Sequence, residues 1–302
     1  MAWLQLTFPS DRESASPLED ALIDCGAVSV TLQDNADEPV LEPGVGETPL
    51  WSETKVVALF TEDAEIEIVL ATLAAQFPKL PPWTLERIEE QAWERAWMDD
   101  FQPMRFGQRL WVCPSWCEPP DPNGVVLALD PGLAFGTGTH PTTALCLEWL
   151  DGIDLTDKTV IDYGCGSGIL AIAALLLGAE KAIAIDNDPQ ALIATHDNAL
   201  RNHIDPERLL TYTPEQLMSA SQQQPANFIA DVTVANILAG PLQSLAPTLA
   251  QHTRAQGLIA LSGILEEQAG AVMESYRTHF AMQPAITSDG WVRLSGIKQS
   301  SL

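Results

Sequence analysis

Short alternating runs of apolar and polar residues open the chain. Residues 3–8 alternate as a strand, 18–25 carry apolar positions at helical spacing, and 28–32 alternate again. Beyond a loop rich in Pro, Gly and Glu at 34–49 come a strand at 55–60, a helix at 64–77 and a strand at 84–88. The order β-α-β-β-α-β predicts a small ferredoxin-like α+β domain over 1–88. Residues 89–112 break this rhythm with dense Trp, Met and charge. They predict a linker in which Trp93 and Trp97, four apart, share one helical face. Those aromatics either pack on a neighbouring domain or face a substrate.

The second half follows a longer period. Strands at 159–162, 181–186, 209–212, 228–235 and 257–262 alternate with helices at 170–177, 189–201, 240–252 and 266–280. Segments at 283–287 and 291–297 are placed to form a hairpin around Asp289 and Gly290. This alternation predicts an α/β domain over 113–302 with a doubly wound, mostly parallel sheet covered by helices on both faces.

Composition narrows the setting. The 302 residues are 46% hydrophobic, yet no run of about 18 apolar residues lacks a charge or a breaker, and the first residues show no signal-like region. A cytoplasmic protein with no membrane partner is the expectation. Five scattered cysteines point to reduced thiols, and Cys113 and Cys117, without a histidine or second pair nearby, read as small hydrophobes; no metal is expected. The net charge of −26 with only 15 Lys and Arg argues against direct nucleic-acid binding. Residues 1–100 hold 21 Asp and Glu against 5 Lys and Arg. Such a field either attracts a basic partner or is simply a solvated surface.

Three motifs carry candidate chemistry. The strand from Val160 ends in Asp162 and runs into a loop with Gly164, Gly166 and Gly168, then into an apolar helix. Glycines there let the backbone turn tightly and approach a ligand at the carboxyl ends of parallel strands. The next strand ends in Asp186, 18 residues after the last glycine, where a carboxylate can accept from both hydroxyls of a ribose. A dinucleotide fingerprint starting at Gly164 would need glycine at position 169, which is Ile169, so a nicotinamide-type site is disfavoured and a nucleoside cofactor without a pyrophosphate is favoured.

The second motif, 130–143, combines three glycines and four threonines with Phe135 and leads into a helix. Such a loop can close over a cofactor, with Phe135 against a flat or apolar part and Thr143 toward its carboxylate end, or it is a plain surface loop. His140 is the only histidine inside a motif and is not assigned as a general base. The third motif places Asn236 at a strand end, where its amide either meets an amine substrate or caps the following helix.

With FGTGTHPTT (135–143), DYGCGSG (162–168), AIDNDP (184–189) and ANILAGP (235–241) in view, the chain resembles the bacterial ribosomal protein L-eleven methyltransferases over essentially its whole length. The resemblance implies a seven-stranded class I methyltransferase domain behind an acidic ferredoxin-like substrate-recognition domain. It also implies S-adenosyl-L-methionine as cofactor and, as substrate, the basic large-subunit ribosomal protein, methylated on its amino-terminal and lysine amines. The positions that match the family's cofactor contacts are Thr143, Gly164, Asp186 and Asn236, beside Phe135, Asp162 and Gly166 from the residue reading. Asn236 is the expected catalytic group.

Overall fold

The computed structural model describes residues 2–36, 50–89, 101–130 and 139–300. Most of the 34–49 loop, the paired Trp93 and Trp97, and Phe135 lie outside the described residues. The chain divides between Asp100 and Phe101 into two units.

In the first unit, β1 (Trp3–Asp11), α1 (Ala15–Asp24), β2 (Ser29–Asp34), β3 (Glu53–Thr61), α2 (Ile66–Gln76) and β4 (Thr84–Ile88) follow in chain order. The sheet runs β2-β3-β1-β4, every neighbour antiparallel. Period-two burial explains it. Val56, Ala58 and Phe60 of β3 are buried while their neighbours are half-buried or exposed, and they meet Leu6 and Phe8 of β1. Leu18 and Leu22 of α1 and Val69 and Leu73 of α2 cover that one face.

The second unit starts earlier than the linker boundary expected at residue 112. A three-stranded sheet, β5 (Met104–Phe106), β6 (Leu110–Cys113) and β7 (Val125–Ala128), buries Phe106, Leu110, Val112 and Leu127 in the unit's main core. The elements that follow are α3 (Pro141–Asp151), β8 (Thr159–Tyr163), α4 (Ile169–Leu176), β9 (Lys181–Ile185), α5 (Pro189–Arg201), β10 (Leu209–Tyr212) and α6 (Pro214–Gln223). Then come β11 (Ala230–Asn236), α7 (Ala239–His252), β12 (Thr253–Leu265), α8 (Ala269–Tyr276), β13 (Phe280–Met282), β14 (Ile286–Ser288) and β15 (Trp291–Lys298).

The large sheet has the order β10-β9-β8-β11-β12-β15-β13. Its first five strands are parallel, and β15 runs antiparallel to β12. Eight strands occupy seven positions, because β13 and β14 lie one after the other along the outer edge of β15. The hairpin expected around Asp289 and Gly290 joins β14 to β15, with Ser288 opposite Trp291. The helix expected over 266–280 shortens to α8, since Phe280 has joined the sheet.

Burial on both faces accounts for the near-continuous apolar strands. Ile183 and Ile185 of β9 face one core, and Ala182 and Ala184 face the other. In α4, residues 169–175 are all buried, and its alanines let the helix lie close to β8 and β9. The chain winds outward from β8 through β9 to β10, then returns to lay β11 on the other side of β8. That reversal opens a crevice at the carboxyl ends of β8 and β11.

Candidate functional site

The crevice is built from the three motifs. At the end of β8, the N–H groups of Gly164 and Cys165 both donate to the carbonyl of Ile185, at 2.7 and 3.0 Å, tying the glycine loop to the end of β9. Gly164 has φ +80°, and a Cβ there would lie 2.1 Å from Cγ2 of Ile237. Only glycine fits. Asp186, just past β9, braces the same loop from the other side. Its Oδ2 accepts from the Gly166 N–H at 2.9 Å and its Oδ1 from the Asp188 N–H at 3.0 Å. Each oxygen keeps a further lone pair for a ligand hydroxyl.

Helix α5 holds the loop from behind. Thr195 donates to the Gly166 carbonyl (3.1 Å), and the buried Asn198 donates to the Ser167 carbonyl (2.9 Å). One turn on, the amide of Asn202 pairs with both backbone groups of Ala128 on β7, at 2.7 and 2.8 Å. Asn198 and Asn202, four apart, therefore bridge the glycine loop to the strand that leads into the second motif. Sequence reading missed this clamp, although two amide side chains at that spacing on one helix face were its visible sign.

Asp162 is fully buried beneath the loop. Its Oδ2 accepts from the Ala171 N–H at 3.0 Å, while its Oδ1 has no hydrogen-bond partner among the described residues. Burial raises its pKa to about 7; the bond from Ala171 opposes the shift and the nearby Asp186 adds to it. An unpaired carboxylate oxygen of this kind suits a cationic or N–H-bearing ligand group.

Thr143 and Asn236, 93 residues apart, meet across the crevice. Thr143 is buried in the first turn of α3, and its Oγ1 accepts from Nδ2 of Asn236 at 3.2 Å. Asn236 does not cap α7, whose N-cap is Leu238 with no side-chain bond. With its NH₂ group engaged by Thr143, the Asn236 amide carbonyl is an acceptor accepting no hydrogen bond among the described residues. His140 caps α3: its Nδ1 accepts from the Thr142 N–H at 3.3 Å and lies 2.7 Å from Thr142 Oγ1. The Trp291 ring stands edge-on against it at 4.8 Å, and burial pushes its pKa down.

Cys113 and Cys117 are free thiols, the first buried and the second half-buried. Among the described residues no group of His, Cys, Asp and Glu is gathered as metal ligands are, and no described helix is long and apolar enough to cross a membrane.

A mostly parallel sheet with one reversed strand, a glycine loop at its switch point and a strand-end acid on the neighbouring strand define a class I methyltransferase that uses S-adenosylmethionine. The residues fit that cofactor. The glycine cradle has no room for a Cβ at Gly164, Asp186 offers acceptors for a ribose, and Asp162 has an unmatched oxygen. A family model for ribosomal protein L11 methyltransferase (PrmA) matches residues 2–299, and the chain belongs to that family. Proteins named ribosomal protein L11 methyltransferase from Azotobacter vinelandii (strain DJ / ATCC BAA-1303) and Pseudomonas paraeruginosa (strain DSM 24068 / PA7) are 56% identical to it. The matches span 300 and 301 residues, 99% of this chain and 100% of each relative. The crystal structure of ribosomal protein L11 methylase from Lactobacillus delbrueckii subsp. bulgaricus aligns with a TM-score of 0.57 at 30% identity, covering 66% of this chain and 100% of that one.

Proposed function

We propose that this enzyme methylates the amino-terminal α-amine and lysine ε-amines of ribosomal protein L11, working in the cytoplasm without direct nucleic-acid or membrane contacts. The observation that carries the amine assignment is the Asn236–Thr143 bond, which leaves an amide carbonyl at the strand end as acceptor for an amine N–H. End-to-end likeness to relatives bearing that substrate in their names supports L11 itself. The first unit, whose element order and antiparallel sheet suit a ferredoxin-like sandwich, supplies recognition, and its excess of acid fits a basic protein.

Within this reading, Gly164 and Gly166 admit the cofactor to the backbone, Asp186 takes the ribose hydroxyls, Asp162 faces a cationic group, Thr143 serves the methionine end, and Phe135 is assigned to a flat or apolar part of the cofactor. When bound, S-adenosylmethionine supplies an electrophilic methyl on a sulfonium. An ammonium has no lone pair, so the amine must shed a proton first, and water is the acceptor. The Asn236 carbonyl then holds an amine N–H so that the lone pair points inward. Peptide mapping of L11 after incubation with labelled cofactor tests the assignment. Label on the α-amine and on lysines is expected; label confined to arginine, carboxyl or amide groups would overturn it.

The Asp162 role has its own signature. A carboxyl with a raised folded pKa contributes stability that is fully present below its unfolded value of 3.8 and lost as pH rises through about 7. Its ionised form, present above that point, favours a cation. S-adenosylmethionine is therefore expected to bind up to about tenfold more tightly at pH 8 than at pH 6, while ligand-free stability falls over the same window. Titration calorimetry and urea unfolding read both slopes. Asp162→Asn should flatten them, and a pH-independent affinity in the wild type would remove the charge from the account.

A further inference from the structure

We propose that Ile237 is a positioning residue, a wedge set between two glycines that fixes Asn236 relative to the cofactor loop. This deepens the reading of Asn236 as the amine-orienting group and rests on it. Ile237 follows Asn236 directly. The parallel ladder pairs Asn236 with Ser262, and the Ile237 N–H then donates to the Ser262 carbonyl at 3.2 Å. On one side the side chain abuts the cofactor loop, where a Cβ on Gly164 would stand 2.1 Å from its Cγ2. On the other side its main chain sits over Gly263 of β12 (φ +82°), where a Cβ would stand 2.3 Å from the Ile237 carbonyl oxygen and 2.8 Å from its carbonyl carbon.

Gly263 lies in a bulge. The β12–β15 ladder steps from Leu261 opposite Leu294 to Ile264 opposite Val292, three positions on one strand against two on the other. The extra residue bends β12 and, having no side chain, lets the Asn236–Ile237 turn settle onto it. The wedge thus touches the loop through its side chain and the bulge through its backbone. Moving either contact moves Asn236, one peptide away, and with it the carbonyl that holds the amine. Displacements on the order of 1 Å at such a position can cost about a hundredfold in rate.

The chemical difference between the two contacts makes the proposal testable. Gly164→Ala clashes with a side chain that can be trimmed, whereas Gly263→Ala clashes with a backbone that cannot. The set to compare is Ile237→Val, Ile237→Ala, Gly263→Ala, Gly164→Ala, the Gly164→Ala/Ile237→Ala double variant and Asn236→Ala. The readouts are kcat and KM for L11 and the Kd of S-adenosylmethionine.

Ile237→Val keeps Cγ2 and the β-branch, and wild-type kcat is expected. Ile237→Ala and Gly263→Ala are each expected to lower kcat roughly 10- to 100-fold with KM and Kd within about threefold. Gly164→Ala should lose cofactor affinity, and because a φ of +80° strains any residue with a Cβ, the double variant should regain only part of that affinity and none of the turnover. If Gly263→Ala fails to fold, the two Ile237 variants decide. A slow Asn236→Ala beside an Ile237→Ala with normal kcat, or one whose kcat falls while its Kd rises in parallel, would overturn the wedge alone. A near-normal Asn236→Ala would remove the Asn236 reading and the wedge with it.

Discussion

Asn236→Ala is expected to lower kcat by roughly 10²- to 10³-fold, the usual loss when a preorganised polar group at a reacting centre is removed. The Kd of S-adenosylmethionine should stay within about threefold. The split follows from geometry. The Asn236 NH₂ group is committed to Thr143 Oγ1 at 3.2 Å, so the amide carbonyl is the end left to accept, while the glycine loop is braced independently by Ile185, Asp186, Thr195 and Asn198. Truncation leaves that bracing in place and removes, with the bond to Thr143, the acceptor proposed to align the amine. Asn236→Asp tests the same point from the other side: it would bring a carboxylate against Thr143 and draw an ammonium, which cannot attack, so a loss of similar order is expected. Steady-state kinetics with calorimetry on each variant measure the split, and a parallel rise in Kd would mean that Asn236 serves the cofactor instead.

The second large effect belongs to Asp186, with the opposite signature. Asp186→Ala is expected to raise the Kd of S-adenosylmethionine by about 10²-fold, with kcat at saturating cofactor close to that of the wild type. One charge-assisted hydrogen bond contributes about 1.5–3 kcal/mol, and this carboxylate is assigned two ribose hydroxyls while it also restrains the Gly166 and Asp188 N–H groups. Removing it frees the loop and deletes the acceptors at one stroke. Asp186→Asn keeps the shape but replaces one acceptor oxygen by a donor, so an intermediate loss is expected. A Kd within twofold of the wild type in Asp186→Ala would show that the ribose is held elsewhere.

What could be read from the sequence was local in the chain. The glycine loop announces itself because its backbone demands glycine at fixed short spacing, and Asp162, Asp186 and Asn236 stand at strand ends that the apolar runs mark. The order β-α-β-β-α-β and the later strand–helix alternation were legible for the same reason, since burial on one or both faces prints its period on each segment. Three kinds of feature were not. The wedge of Ile237 between Gly164 and Gly263 joins three strands distant in sequence, and the lone glycine at 263 hints at a bulge without saying what packs on it. The strands β5 and β6 were hidden in a stretch dense with Trp and charge, although Phe106, Leu110 and Val112 are buried. Helix α6 went unread within a Gln-rich, weakly apolar segment, even though Thr213 and Gln216 form the capping box that starts it.

Asn236 and His140 illustrate the limit of residue type alone. A strand-end asparagine is compatible with capping or with amine binding, and the bond to Thr143, from a distant segment, with Leu238 at the N-cap of α7, removes the first. A motif histidine invites a general-base role, yet its Nδ1 is occupied by the first turn of α3.

The most direct test of the account is a competition for labelled methyl groups. Purified ribosomal protein L11, free lysine and ribosomal RNA are offered together to the full-length enzyme with labelled S-adenosylmethionine, and the label in each is counted. The account predicts rapid labelling of L11, lost in Asn236→Ala, with little in free lysine and none in RNA. Label arriving in RNA, or equally in free lysine and L11, would contradict it.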